Sequence, residues 1–285
     1  SAKLPSGVLA AKPERRADRL PQGVSAARFR GMSVLDVEQA DARAAAAGGA
    51  GKDAYVRGMF AAIAPRYDLL NRVLSLRIDT WWRRRAIGRL GLTRRPDGRY
   101  LDLCAGTLDV GAALVRTRGF TGHVVAADFA EPMLRHGAGK APRSRLAPVT
   151  ADALCLPVGD AVFAGAIVAF GIRNVADLDA ALREVWRVLE PEARFVILEF
   201  TTPRSRLVRA AYHLYFHRIL PRIGAWVSGH GSAYAYLPAS VAHFPEERAL
   251  AQRMEQAGFT DVSWETLSFG IAAIHVGTRP RTRAE

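Results

Sequence analysis

The sequence predicts a doubly wound α/β fold, a mostly parallel sheet with helices on both faces, and three observations predict it. Apolar runs at 100–103, 123–127, 148–153, 161–170 and 194–200 follow one another, with helical patterns between several of them. The run at 161–170 is apolar throughout, as expected of a strand covered on both faces. Two runs end at carboxylates, Asp128 and Asp152, and the ligand crevice of such a sheet lies outside the C-terminal strand ends.

The 285 residues suit about one to two domains with a large core, since 49% of them are hydrophobic. The formal net charge of +13, from 40 basic and 27 acidic residues, fits an anionic partner such as nucleic acid or phospholipid, or an arginine-rich proteome. Cys104 and Cys155 form neither a disulfide framework nor a metal cluster; they read as small buried thiols in a reducing compartment. No apolar run reaches the roughly 18 residues that a spanning helix needs, so membrane contact would be peripheral.

Residues 1–52 read as a basic extension, disordered or targeting, with seven basic and two acidic side chains in the first 31 and a linker at 44–51. The body is expected over 53–280. Residues 55–90 are helical in pattern, with one apolar stripe (Phe60, Ile63, Ala64, Tyr67) interrupted by Pro65 and another through Trp81, Trp82, Ala86, Ile87 and Leu90. Nine arginines and two aspartates lie between Arg66 and Arg95. The cluster from Trp81 to Arg85 suits either a lipid interface or a packed face with solvated arginines.

The first strand ends in a turn at Gly106, where a residue without Cβ lets the backbone turn and a ligand approach the main chain. Asp128 follows 22 residues later, where doubly wound folds bind ribose hydroxyls. The full G-x-G-x-x-G fingerprint is missing because Leu108 stands at the next glycine position. Two acidic strand tips without that fingerprint favour a mononucleoside-like cofactor, and S-adenosylmethionine (SAM) fits best. The fourth strand ends at Gly171–Asn174, a helix at 179–189 is stopped by Pro191, and the fifth strand carries Glu199. Asp128, Asp152, Arg173, Asn174 and Glu199 should approach one cleft. Residues 204–244, rich in Tyr, Phe, Trp and Arg, read as an insertion covering the crevice. A helix over 245–257 and two strands joined at Ser268–Gly270 close the chain, so the final strand should be antiparallel.

These residues resemble the quinone C-methyltransferases of ubiquinone and menaquinone biosynthesis over roughly 55–277. The resemblance rests on Met59-Phe60, Ile63 through Asp68, Asn71, Leu101-Asp102, Gly106-Thr107, Asp109, and Ala169 through Val175. It continues through Ala181–Glu184, Arg187–Leu189, Leu198–Phe200, Leu220-Pro221, Gly224, Tyr234, Tyr236-Leu237, Ser240, Phe244-Pro245, Ala257–Phe259 and His275–Gly277. It implies a class I SAM-methyltransferase Rossmann-like fold: a seven-stranded, mostly parallel sheet with an antiparallel last strand, a helical N-terminal cap and an aromatic lid.

The implied roles follow residue by residue. Thr107 and its loop, from Asp102 through Gly106 to Asp109, would hold the methionine part of SAM. Asp128 would take the ribose hydroxyls, Asp152 and Ala153 would flank the adenine, and Ala169 would line the cofactor. Tyr67, Asp68 and Asn71 would cap it, and Arg173 and Asn174 would meet the ring. Methyl transfer to a ring carbon needs carbon and methyl held in line and the neighbouring hydroxyl deprotonated. Arg173 is expected to stabilise the phenolate, with His213, His217, Asp68 or a water on Asn174 as the base. Leu108, where the family has a second glycine, is expected to crowd the cofactor or resist a positive φ. Pro191-Glu192-Ala193 and Phe163-Ala164 also depart from the family pattern.

The leading function is thus C-methylation of a prenylated benzoquinol or naphthoquinol at an anionic membrane surface. Expected partners include a quinone-biosynthesis complex or a second copy as homodimer. The expected location is the cytoplasmic face of a bacterial inner membrane or, with a targeting extension, the mitochondrial matrix or a plastid. A non-catalytic scaffold, motivated by Leu108, is the alternative. A nucleic-acid methyltransferase, motivated by charge alone, ranks last because no RNA-binding module is recognised.

Overall fold

The computed structural model describes residues 34–48, 51–215 and 232–281. Seven strands among them form one sheet: β1 Arg99–Leu103, β2 His123–Asp128, β3 Leu146–Thr150, β4 Phe163–Ala169, β5 Leu189–Phe200, β6 Thr260–Leu267 and β7 Ala272–Thr278. Their order is β3-β2-β1-β4-β5-β7-β6. β1 to β5 pair in parallel, and β7 runs antiparallel to both β5 and β6. The last strand is therefore antiparallel, as the hairpin signal at Ser268–Gly270 requires; all three turn residues have positive φ.

Alternation sorts the core into two layers. Along β5, Phe195 and Ile197 pack on one face while Val196 and Leu198 pack on the other, and β4 repeats the pattern. Helices α4 (Ile78–Arg89) and α5 (Asp109–Val115) cover the face of Val196; α7 (Leu178–Val188) and the helix Glu247–Gln256 cover the opposite one. Helix α7 starts at Asp177, whose carboxylate accepts the Ala180 N–H at 2.9 Å. Pro191 ends the helical pattern, but the chain does not turn away there. Leu189 already pairs with Phe163, and a register shift with a left-handed Glu192 takes up the proline, so β5 begins five residues before the expected start at 194.

A helical cap stands over the C-terminal strand ends. Helix α1 (Val34–Ala46) occupies the end of the segment read as extension and runs into the expected linker. Helix α2 (Lys52–Ile63) ends at a 3-10 turn holding Pro65, which lacks the N–H that a continuing helix would need, and α3 (Tyr67–Ser75) follows. Ala42, Ala45 and Ala46 of α1 pack with Val56 of α2 and with Tyr236 of the helix Ser232–His243. A short helix, α6 (Glu131–His136), follows β2, and the helix Arg206–Leu214 follows β5. Phe216, His217, Leu220 and Trp226 of the expected lid lie outside the described residues, as do the side chains of His213 and Tyr234. Of the tryptophan pair, Trp82 is buried and donates to Ser268 Oγ at 3.0 Å, whereas Trp81 is exposed.

Candidate active site

β1 lies between β2 and β4, so the chain connections diverge at the C-terminal ends of β1 and β4, and a crevice opens there. Its floor is Gly106 after β1, Asp128 and Phe129 after β2, Asp152 and Ala153 after β3, and Ala169, Gly171 and Asn174 at the end of β4. Asp53, Arg57 and Phe60 of α2 and Tyr67 of α3 form the roof. Seven expected site residues therefore share one cleft: Tyr67, Gly106, Asp128, Asp152, Ala153, Ala169 and Asn174.

Asp128 organises the floor. Its carboxylate accepts the Gly106 N–H at 2.7 Å and the Ala130 N–H at 2.8 Å, tying the glycine turn to the loop after β2. Burial pushes its pKa up, against the pull of those two N–H groups. An ionised carboxylate offers about four lone-pair sites, so further hydroxyls can be accepted beside the two amides. Gly106 has φ +52, and the Tyr67 ring lies 4.0 Å from where its Cβ would stand. Cys104 and Phe170, which line the cleft, also hold positive φ, the kind of strain that collects at ligand sites. Burial raises the Cys104 thiol well above its ordinary pKa, keeping it neutral, while Cys155 is exposed and corrects the reading of two buried thiols.

Leu108 behaves differently from its expectation. It adopts φ 67, and its side chain, 2% exposed, packs into the core beside Gly137 and away from the cleft. A Cβ on Gly137 would stand 2.6 Å from Leu108 Cγ, so the missing side chain there makes room for the leucine. Leu108→Gly is expected to relieve about 1–2 kcal/mol of left-handed strain but forfeit the buried side chain, worth about 2–5 kcal/mol. A net loss in denaturant unfolding, with unchanged cofactor affinity, is the expected result.

Asp68, Asn71, Asp102, Thr107, Asp109, Arg173 and Glu199 do not line the cleft. Asp102 shares a strand face with Tyr100, beneath α5, where it accepts the Gly111 N–H at 2.8 Å; burial pushes its pKa up to about 7. It braces the helix start rather than the ligand. Thr107 donates to Asp68, and Lys140 Nζ bonds both Asp68 and Asp109 at 2.6 Å. Burial opposes ionisation of Asp68, but the Lys140 and Thr107 contacts outweigh it and hold the carboxyl below its ordinary pKa. Both carboxylate oxygens of Asp68 are thus already engaged by protein donors.

Arg173 is likewise engaged by protein groups. Its Nη1 donates to Glu199 Oε1 at 2.6 Å and to the Phe170 carbonyl, and its Nε reaches Ser240 Oγ at 3.3 Å. The pair is buried, with side chains 7% and 2% exposed. Its charge is balanced inside the protein, and its contacts fix the turn Ile172–Asn174. Asn174 does face the cleft, and its Oδ1 accepts the Tyr236 hydroxyl at 3.0 Å. Sequence reasoning missed Lys52, Arg57, Phe129, Met133 and Lys140. Only Phe129 and Met133 carried a signal, being apolar residues within five positions of the carboxylate at the tip of β2.

The model of the ubiE/COQ5 methyltransferase family matches residues 49–279. The demethylmenaquinone methyltransferase of Thermus thermophilus is 49% identical over 224 residues, covering 78% of this chain and 100% of that protein. The ubiquinone/menaquinone biosynthesis C-methyltransferase UbiE of Geobacter sulfurreducens is 42% identical, covering 79% and 88%. Among solved structures, a SAM-dependent methyltransferase from Thermotoga maritima matches at TM-score 0.56 and 16% identity, covering 78% of this chain and 98% of that one. The 4+2 cyclase SpnF matches at TM-score 0.59 and 15% identity, covering 80% and 96%. At such identities these two likenesses concern the fold alone.

Proposed function

The chain belongs to the ubiE/COQ5 methyltransferase family, and we propose that it methylates a ring carbon of a prenylated, demethylated naphthoquinol, with SAM as methyl donor. The cleft carries this reading: a buried carboxylate at the tip of β2, tied to a glycine turn, beside an amide whose oxygen is already held. The relative at 49% identity, named for demethylmenaquinone, supports naphthoquinol over benzoquinol.

The residues present fit SAM. Asp128 would accept the ribose hydroxyls, while Phe129, Met133 and Ala153 would flank the base, with Asp152 beside them. Bound SAM supplies a sulfonium methyl group as electrophile. The chain's own contribution is to orient the ring and manage its hydroxyl proton. Tyr236 holds Asn174 Oδ1, leaving the amide N–H groups to bind the ring hydroxyl or a water that takes its proton. The roof from α2 and α3 excludes bulk water. Reduced demethyl-naphthoquinol with a short tail should be methylated from labelled SAM at least tenfold faster than the benzoquinol, and the oxidised quinone should be inert. SAM binding without transfer to either quinol would favour the scaffold.

The proposed substrate also needs a lipid surface, and the α3–α4 corner supports one. Leu76 and Trp81 are 79% and 51% exposed, and Leu76 and Arg77 both have positive φ. Arg72, Arg77 and Arg84 are exposed there, while the nearby Asp79 is engaged by Ser75 and Arg83. Exposed apolar side chains ringed by cations suit an anionic bilayer. Leu76→Asp with Trp81→Ser should reduce cosedimentation with phosphatidylglycerol vesicles at least tenfold while sparing turnover of a soluble quinol. Undiminished cosedimentation would remove the corner from membrane contact.

A further inference from the structure

We propose that Lys52 is a positioning residue that latches the helical cap onto the wall of the cleft carrying Asn174. Its Nζ donates to the carbonyls of Arg173 and Val175 at 3.1 and 2.7 Å, so one ammonium grips the main chain on both sides of Asn174. Lys52 opens helix α2, and the same helix sends Asp53, Arg57 and Phe60 over the cleft. The latch thus joins roof to wall at the cleft edge.

Neighbouring contacts make the grip cooperative. Tyr55 of α2 packs its ring 5.9 Å from that of Tyr236, whose hydroxyl holds the Asn174 side chain. Ser240, one turn further along the helix of Tyr236, accepts from Arg173 Nε. Residues 173–175 are therefore held at two carbonyls by α2 and at the Arg173 and Asn174 side chains by Ser232–His243, two helices that share one apolar cluster. Burial lowers the Lys52 pKa and the nearby Arg173 charge adds to that, while Asp53 of the same helix pulls it back up and Glu199 pairs with Arg173. A charge-assisted bond to a carbonyl is stronger than a neutral one, and two on one ammonium fix its position. Because α2 roofs the cleft, a nucleoside-sized ligand lying between roof and floor is expected to leave faster when the latch is lost.

This inference rests on the proposed cofactor cleft, and two measurements separate its failure from that of the cleft. The first is hydrogen exchange on the ligand-free chain. In Lys52→Met, amides of α2 and of residues 172–176 should exchange at least tenfold faster, with β1 and β4 unchanged. The second is binding of S-adenosylhomocysteine. Lys52→Met should dissociate it at least tenfold faster, and Lys52→Arg, which keeps two donors, should restore most of the wild-type rate. Unchanged exchange in Lys52→Met, or wild-type dissociation from it, would overturn the latch. Accelerated exchange in a chain whose wild type does not bind S-adenosylhomocysteine would keep the latch and overturn the cofactor cleft.

Discussion

Replacing Asp128 with alanine is expected to abolish cofactor binding and to destabilise the fold together. The carboxylate, 6% exposed, is the acceptor for two main-chain donors, Gly106 N–H and Ala130 N–H. Alanine would leave both without that partner, at about 1–3 kcal/mol each. The same change removes the acceptor proposed for the ribose and frees the turn that the ligand would meet. S-adenosylhomocysteine affinity should fall at least 100-fold by calorimetry, and denaturant unfolding should show the stability loss without ligand. Wild-type stability would remove Asp128 from bracing the turn, and wild-type affinity would remove it from ligand binding.

The second large effect concerns the Arg173–Glu199 pair. Because both side chains are nearly inaccessible, removing one partner leaves a buried, unbalanced charge and is expected to cost about 3–5 kcal/mol. The two single variants should differ with pH. Burial already raises the Glu199 pKa, and Arg173 pulls it back down. Without Arg173, the folded-state pKa rises further above the unfolded value, so the folded state binds the extra proton. Stability is then greatest in acid and is lost as pH climbs through the folded pKa. Arg173→Ala should be more destabilised at pH 8 than at pH 5, whereas Glu199→Ala leaves an always-charged guanidinium and should lack that slope. Arg173→Met combined with Glu199→Leu should recover much of the loss. Equal pH profiles for the two single variants would show that Glu199 is not the group responding.

The strand tips were legible because the signals are local. An apolar run followed by Asp128 or Asp152 places a carboxylate at a sheet edge whatever the surrounding packing, and both line the cleft. The orientation of side chains within a motif was not. Arg173 and Asn174 are adjacent on one 3-10 turn, where successive residues point about 120° apart. One consequently turns to Glu199 and the other to the cleft, a choice made by the carboxylate on β5. Lys140 was invisible for another reason: it lies 72 residues from Asp68, and nothing local marks a lysine that will bridge two carboxylates.

By itself, the sequence determined the layered sheet, the antiparallel last strand and the sheet edge on which the cleft opens, since alternation, apolar runs and turn residues act over a few neighbours. Tertiary structure decided the rest. It turned Leu108 into the core at a positive φ, paired Arg173 with Glu199, engaged Asp68 with Lys140, and closed α2 over the cleft through Lys52. Each of these joins groups distant in the chain, and such contacts take their geometry from packing that no local pattern encodes.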